Sequence, residues 1–315
     1  MISLRSSGYR MMHGLPMTLA ALACLSIGTG ARAQDGLSVD PTLDVSLRGI
    51  MSDLDLDEDE EIDSSGVGAR AEAGIDFEAA SGSSVRVEAN ASVFDYRDED
   101  RETRESYGGA VEWTQELSEQ WQLRLRASRS ENLSLLEATS GDQTSTAARL
   151  QWEKGNDRVR VEADYRWREY DTSAQGKGDG YRLSAQYQRR FGSYHWLIID
   201  ARVEDMQSDD DPLRSYDRRV VRVKYSLPIE RSMRLRVRPW IEYREWDYDS
   251  RFARGDPNGD LRSDRFFAPG VELAAGRDSR GAYARAGVEY RLRSSNDDRY
   301  GHDAIRASVT LGYRF

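Results

Sequence analysis

Arginines and carboxylates recur at alternate positions along this chain. Residues 158–168 set Arg158, Arg160, Glu162, Asp164, Arg166 and Arg168 two apart. Segment 218–227 does the same with Arg218, Arg222 and Lys224, and segment 233–244 with Arg234, Arg236, Arg238, Glu242 and Arg244. A spacing of two puts side chains on one face of an extended strand, so each segment presents a row of charge. The guanidinium is a planar fork of donors that binds carboxylate or phosphate at two points. A row of such forks along a narrow passage with low-dielectric walls favours anions. Arg158, Arg160, Arg166, Arg168, Arg222, Arg234, Arg236, Arg238 and Arg244 are therefore the candidate anion path. The opposing reading is that arginines and acids cross-pair and only fill and stiffen an interior.

Other chemistry is thinly represented. The acidic run Asp53–Asp63 could collect Ca²⁺ or Mg²⁺, because hard cations take clustered carboxylates, but it lacks the glycine and spacing of an EF-hand and reads more simply as a solvated loop. Asp256-Pro257-Asn258-Gly259-Asp260 reads as a turn. Beyond residue 33 the histidines are His195 and His302, neither beside a serine of the nucleophile-elbow kind. No phosphate loop, zinc-ligand spacing or dinucleotide glycine pattern occurs. The residues thus name no enzyme, no cofactor and no metal site.

The elements that must position the arginines are strands. Val309, Leu311, Tyr313 and Phe315 alternate with Thr310, Gly312 and Arg314, and Leu43, Val45 and Leu47 alternate with Asp44, Ser46 and Arg48. Comparable alternation centres on about a dozen further segments, giving about fourteen strands, with twelve to sixteen as the range. Each is roughly nine to eleven residues, enough to cross a bilayer at a tilt. Segments 195–204 and 266–275 are the least regular: Trp196 and Ile198 share a face with Asp200 and Arg202, and Pro269 interrupts the other. Connections alternate between short ones, such as Lys154–Asp157 and Gly192-Ser193, and long acidic ones, such as Asp95–Ser106, Asp205–Ser215 and Glu245–Asp264. The expected fold is all-β, a transmembrane antiparallel up-and-down barrel, apolar face to lipid and charged face to the bore. Aromatics then fall in two belts. Phe77, Trp113, Trp121, Trp152, Tyr187, Tyr225 and Phe315 lie towards the short turns. Tyr96, Tyr107, Trp167, Tyr181, Tyr243 and Tyr290 lie towards the long loops. Generic strand preference of aromatics is the plainer account of any one of them.

These features resemble the porin-type outer-membrane β-barrels of Gram-negative bacteria. The likeness rests on the strand pattern, the short–long connections and the terminal strand Val309-Thr310-Leu311-Gly312-Tyr313-Arg314-Phe315. It implies the cell outer membrane as location, outer-membrane lipid and lipopolysaccharide as surroundings, and Leu311, Tyr313 and Phe315 as the signal read by the barrel-assembly machinery. The function it suggests is passive diffusion of small or oligomeric anionic solutes. Acidic sugars are one candidate, since Tyr165, Trp167 and Tyr170 neighbour the arginines. The alternatives are a non-conducting barrel that partners export of a surface polysaccharide or protein, and a surface adhesin.

Residues 1–33 carry Arg5 and Arg10, a short apolar stretch Leu15–Ile27 and Ala31-Arg32-Ala33, the pattern of a secretory signal peptide. Cleavage after Ala33 leaves residues 34–315 as the barrel; a lipoprotein would instead begin at Cys24, the chain's one cysteine. The 315 residues are 38 % apolar and 32 % charged with a net charge of -10, which argues against a nucleic-acid partner. No later stretch is apolar enough for a membrane-spanning helix. With arginine concentrated on the strand faces, the negative charge is exported to the loops.

Overall fold

The computed structural model describes residues 37–315 apart from 53–54, 58–59, 63–64, 80–81, 99–100, 137–138, 171–176, 193, 209–211, 231, 233, 256–257, 277–279 and 302; of 53–64 and 134–139 it describes no side chains. The expected signal peptide with Cys24, His302 and the Asp256-Pro257 turn lie outside these residues. So do the side chains of the acidic run, whose backbone pairs in a small hairpin of β2 (Asp55–Asp57) and β3 (Glu60–Ile62).

Fourteen strands form one closed antiparallel barrel. In chain order they are β1 (Leu37–Ser52), β4 (Gly66–Ala79), β5 (Ser83–Tyr96), β6 (Arg104–Glu116), β7 (Trp121–Leu136), β8 (Thr139–Lys154) and β9 (Asp157–Tyr170). There follow β10 (Lys177–Phe191), β11 (His195–Gln207), β12 (Tyr216–Glu230), β13 (Leu235–Phe252), β14 (Leu261–Gly276), β15 (Gly281–Ser295) and β16 (Ala304–Arg314). Each pairs with its neighbour in sequence, and β1 closes the ring by pairing with both β4 and β16. Closure leaves no edge, so strand backbones in hydrocarbon bond to one another rather than to absent water.

The strands run from 11 to 18 residues, longer than the expected crossing length. In β7, β8 and β13 the added length is at the long-loop end, where β7 shifts register against β8 past Ser130 and β13 against β14 past Asp247. Both irregular segments are strands. Trp196 and Ile198 lie on the inward face with Asp200 and Arg202, between partners on β10 and β12. Pro269, which has no N–H to give, faces Ile241 of β13, while its ladder to β15 is interrupted between Phe267–Leu292 and Gly270–Glu289 with no change of register.

Side chains follow the period of two. Val45, Leu47, Val223, Ile241, Val309 and Leu311 point outward and exposed, Leu47 at 64 %. Phe77, Trp113, Trp121, Trp152, Tyr187 and Tyr225 share that outward parity at the turn end, where Trp121 and Trp152 sit directly opposite each other. Tyr165 and Trp167 are outward as well, edge to face at 4.6 Å, so they belong to the loop-side belt and not to the arginine row. Tyr96 corrects the belt in the other direction. It faces the bore beside Phe94, with the Arg101 guanidinium 3.8 Å from its ring centre. Two glycines make room for large inward rings: a β-carbon on Gly270 would lie 2.3 Å from the Trp240 indole, and one on Gly312 2.3 Å from the Tyr283 ring.

Candidate functional site: the arginine-lined bore

Even-numbered positions of β9 to β14, and odd ones of β15, face inward, because pairing at fixed register carries one parity around the ring. All the candidate arginines on strands point into the bore. Arg234 differs from expectation in its element: it lies in the turn before β13 with φ +50°, not on the strand.

Most of the inward arginines fall into three environments. At the loop end, β9, β11, β12 and β13 meet in a buried knot. Arg166 donates to Asp164 at 2.6 Å and to Glu204 at 3.0 Å, and Arg218 donates to Glu204 at 2.7 Å. Arg168 donates to the Tyr216 hydroxyl at 2.9 Å, which in turn donates to Glu204 at 2.7 Å. Met206, Tyr216 and Tyr248 pack behind it with Trp246. Arg166 and Arg168 are 6 % and 4 % exposed, so their donors are committed to the protein. Next to this knot Arg262 and Arg293 both hold Asp264, with the Arg262 guanidinium 3.3 Å from the centre of the Tyr300 ring.

Tyr300 is brought there by the turn after β15. Asp297, buried in that turn, accepts from the backbone N–H of Arg254 and Arg299 and from the Arg299 guanidinium. Burial pushes its carboxyl up, but the Arg299 and backbone hydrogen bonds outweigh it and hold the group at about 2. Its folded value lies below its ordinary one, so its stabilising contribution is full above the ordinary carboxylate range and is lost as pH falls through about 2.

The second environment is open. A cavity of about 840 Å³ lies against β14–β16, β1 and β4–β6, lined among others by Arg48, Arg104, Arg285, Arg306, Asp44 and Glu72. None of the nine arginines singled out from sequence borders it. Asp44 is held by Arg314 at 2.6 Å, and Glu72 by Arg70 at 2.9 Å. Arg48, Arg104 and Arg285 have no carboxylate within 4.0 Å among the described residues. At the turn-side mouth Arg234, Arg236, Arg238 and Arg285 gather around a narrow cleft with Tyr283, and there Arg238 pairs with Glu272 at 3.1 Å.

The third is a cavity of about 290 Å³ at mid-wall, bordered by Arg149, Arg160, Arg202, Arg222, Glu162 and Glu242. Arg158 lies apart from all three, paired with Glu153 at 2.7 Å near a turn. Arg244 pairs with Glu242. Spacing does not distinguish Arg48, Arg202 and Arg285 from other inward arginines, because which guanidinium keeps a free fork depends on acids brought alongside by the closed register. Arg104, expected in the connection Asp95–Ser106, is instead the first residue of β6. His195 belongs to none of these regions; it lies at the turn end with its ring 6.1 Å from that of Tyr225.

No protein-family model matches the chain, and no curated protein matches it by sequence. Solved structures do. The outer-membrane channel DcaP of Acinetobacter baumannii aligns over 91 % of this chain and 100 % of its own at TM-score 0.54 and 12 % identity. The fold is that of outer-membrane porins. A bacterial polysaccharide outer-membrane secretin aligns over 87 % of this chain and 98 % of its own, at TM-score 0.55 and 11 % identity. An anion-selective porin from Comamonas acidovorans covers 89 % and 100 %, at TM-score 0.50 and 7 % identity. Together with the exposed apolar band, this porin fold places the barrel in the outer membrane.

Proposed function

We propose that the barrel is a passive diffusion channel preferring small or oligomeric anions, and that its preference resides in arginines of the open cavity. The observation carrying this reading is an imbalance of pairing. Among the described residues, Asp200 is the one mid-wall inward carboxylate with no arginine within 4.0 Å, whereas Arg48, Arg104 and Arg285 keep their charge uncompensated beside the cavity of about 840 Å³. An uncompensated guanidinium in a confined passage lowers the energy of an entering anion and raises that of a cation. The passage supported by these residues runs along β1, β4–β6 and β14–β16, away from the packed knot on β9–β13. The packed loop-side half is the observation favouring the other reading, a non-conducting barrel that partners export of a surface polymer.

Planar-bilayer recording tests this. The full-length barrel is expected to conduct, with a reversal potential in a KCl gradient that reports Cl⁻ preference. Replacing Arg48, Arg104 and Arg285 together by glutamine is expected to lower the Cl⁻/K⁺ permeability ratio severalfold, towards unity. A ratio unchanged by the triple replacement overturns the assignment, and absence of conductance at several salt concentrations overturns the channel.

A further inference from the structure

We propose that the mid-wall cavity bordered by Arg160 and Arg202 is a discrete binding pocket for a small polyvalent oxyanion, separate from the open passage. This deepens the channel reading and rests on it only in that the anion arrives through the bore.

The argument is an inventory of donors and charges. Glu162 is taken by Arg149 at 2.5 Å and by Arg182 at 3.6 Å. Glu242 is taken by Arg244 and, at 3.8 Å, by Arg222. Asp200 accepts from the Gln186 amide at 2.7 Å. With Glu162 and Glu242 engaged by arginines and Asp200 by a neutral amide, two guanidiniums remain without an ion pair. Arg160 donates only to neutral amide oxygens, Gln151 at 2.7 Å and Gln186 at 3.2 Å. Arg202 has neither an ion pair nor a hydrogen bond among the described residues, and its Nε is shut away from solvent. The Nε of Arg222, also buried, has no hydrogen-bond acceptor. The lining thus holds four arginines, Arg149, Arg160, Arg202 and Arg222, against three carboxylates, and two of the four have no ion pair. A guanidinium withdrawn from bulk water demands a counter-charge and acceptors. In the loop-side knot an acid of the chain supplies both; here the space is left open.

The occupant follows from donor geometry. A fork of parallel N–H groups matches two oxygens of one carboxylate or phosphate, whereas a halide meets the donors one at a time. At about 290 Å³ the cavity sits at the lower limit of small-molecule sites, roughly 300–1,000 Å³, so the ligand is a compact one.

The test is isothermal titration of the folded full-length barrel in detergent, with inorganic phosphate and with citrate as separate probes. Saturable binding of one equivalent per chain is expected for at least one probe. Phosphate alone marks a phosphate pocket, citrate alone a carboxylate pocket, and both a general oxyanion pocket. Arg202→Gln and Arg160→Gln are each expected to weaken binding about tenfold or more. Arg202→Lys, which keeps the charge but not the fork, should fall between wild type and Arg202→Gln. Arg280→Gln, an equal charge change at an exposed turn, should leave binding as it was. Heat-modifiable gel mobility confirms that each variant is folded. Absence of saturable binding for both probes overturns the pocket, as does binding indifferent to both Arg160→Gln and Arg202→Gln. A barrel that conducts anions selectively yet binds neither probe overturns the pocket alone; one that binds yet does not conduct overturns the channel alone.

Discussion

Replacing Glu204 by glutamine is expected to destabilise the barrel by about 3–5 kcal/mol, the cost of removing one partner from a buried ionic cluster. Glu204 has no exposed side-chain surface and lies within 4.0 Å of Arg166, Arg168 and Arg218, with the Tyr216 hydroxyl donating to it as well. Glutamine fills the same volume and can still accept a hydrogen bond, but it leaves three guanidiniums facing one another with only Asp164 nearby, itself shared between Arg166 and Arg182. Urea unfolding of the barrel reconstituted in vesicles measures the loss. A double replacement, Glu204→Gln with Arg168→Met, should recover part of it, since the second change removes one stranded charge. A Glu204→Gln barrel as stable as wild type would mean that these arginines find their counter-charge elsewhere.

Val223→Arg is expected to cost about 2–4 kcal/mol by the same measurement, because a guanidinium facing hydrocarbon near mid-depth finds no acceptor. Val223 is 40 % exposed on the outward face of β12, directly opposite Ile199 and Ile241, half-way between the turn and loop ends of the strand. The neighbouring Lys224 is inward, so Lys224→Arg, one position along, should change stability little. The contrast isolates the face of the wall, since strand, depth and residue introduced are nearly the same. Equal costs at the two positions would mean that the side chains do not divide between lipid and water.

Much of this architecture was legible in the residues because the barrel obeys a local rule. One face of every strand meets hydrocarbon, so Leu47, Val223 and Leu311 had to alternate with charge, and counting alternating runs gave the number of strands. The rule weakens where a residue lies beyond the bilayer or where the bore tolerates apolar groups. Pattern alone therefore puts Tyr96 outward although it lines the bore, and Trp196 and Ile198 make an ordinary strand look irregular. Tyr165 and Trp167 were near the arginines in sequence, but a period of two sends them to the opposite surface.

The site was less legible, for a different physical reason. Spacing says that Arg160 and Arg168 share a face; it does not say that Arg168 ends beneath Tyr216 and Glu204 while Arg160 meets only amides. That distinction is made by β8 and β10–β12, whose register is set by closure of the whole ring. Density of arginine accordingly points to β9 and β13, whereas the cavity of about 840 Å³ opens against β1, β4–β6 and β14–β16.

Conduction and anion binding in the bore require water on one face of the wall and lipid on the other. Single cysteines placed in turn at positions 221, 222, 223 and 224, with Cys24 replaced by serine, test this in bilayer-embedded barrels using a charged, water-soluble thiol reagent. Labelling at 222 and 224 with protection at 221 and 223 is the predicted pattern. The reverse alternation, or uniform labelling along the strand, would contradict it.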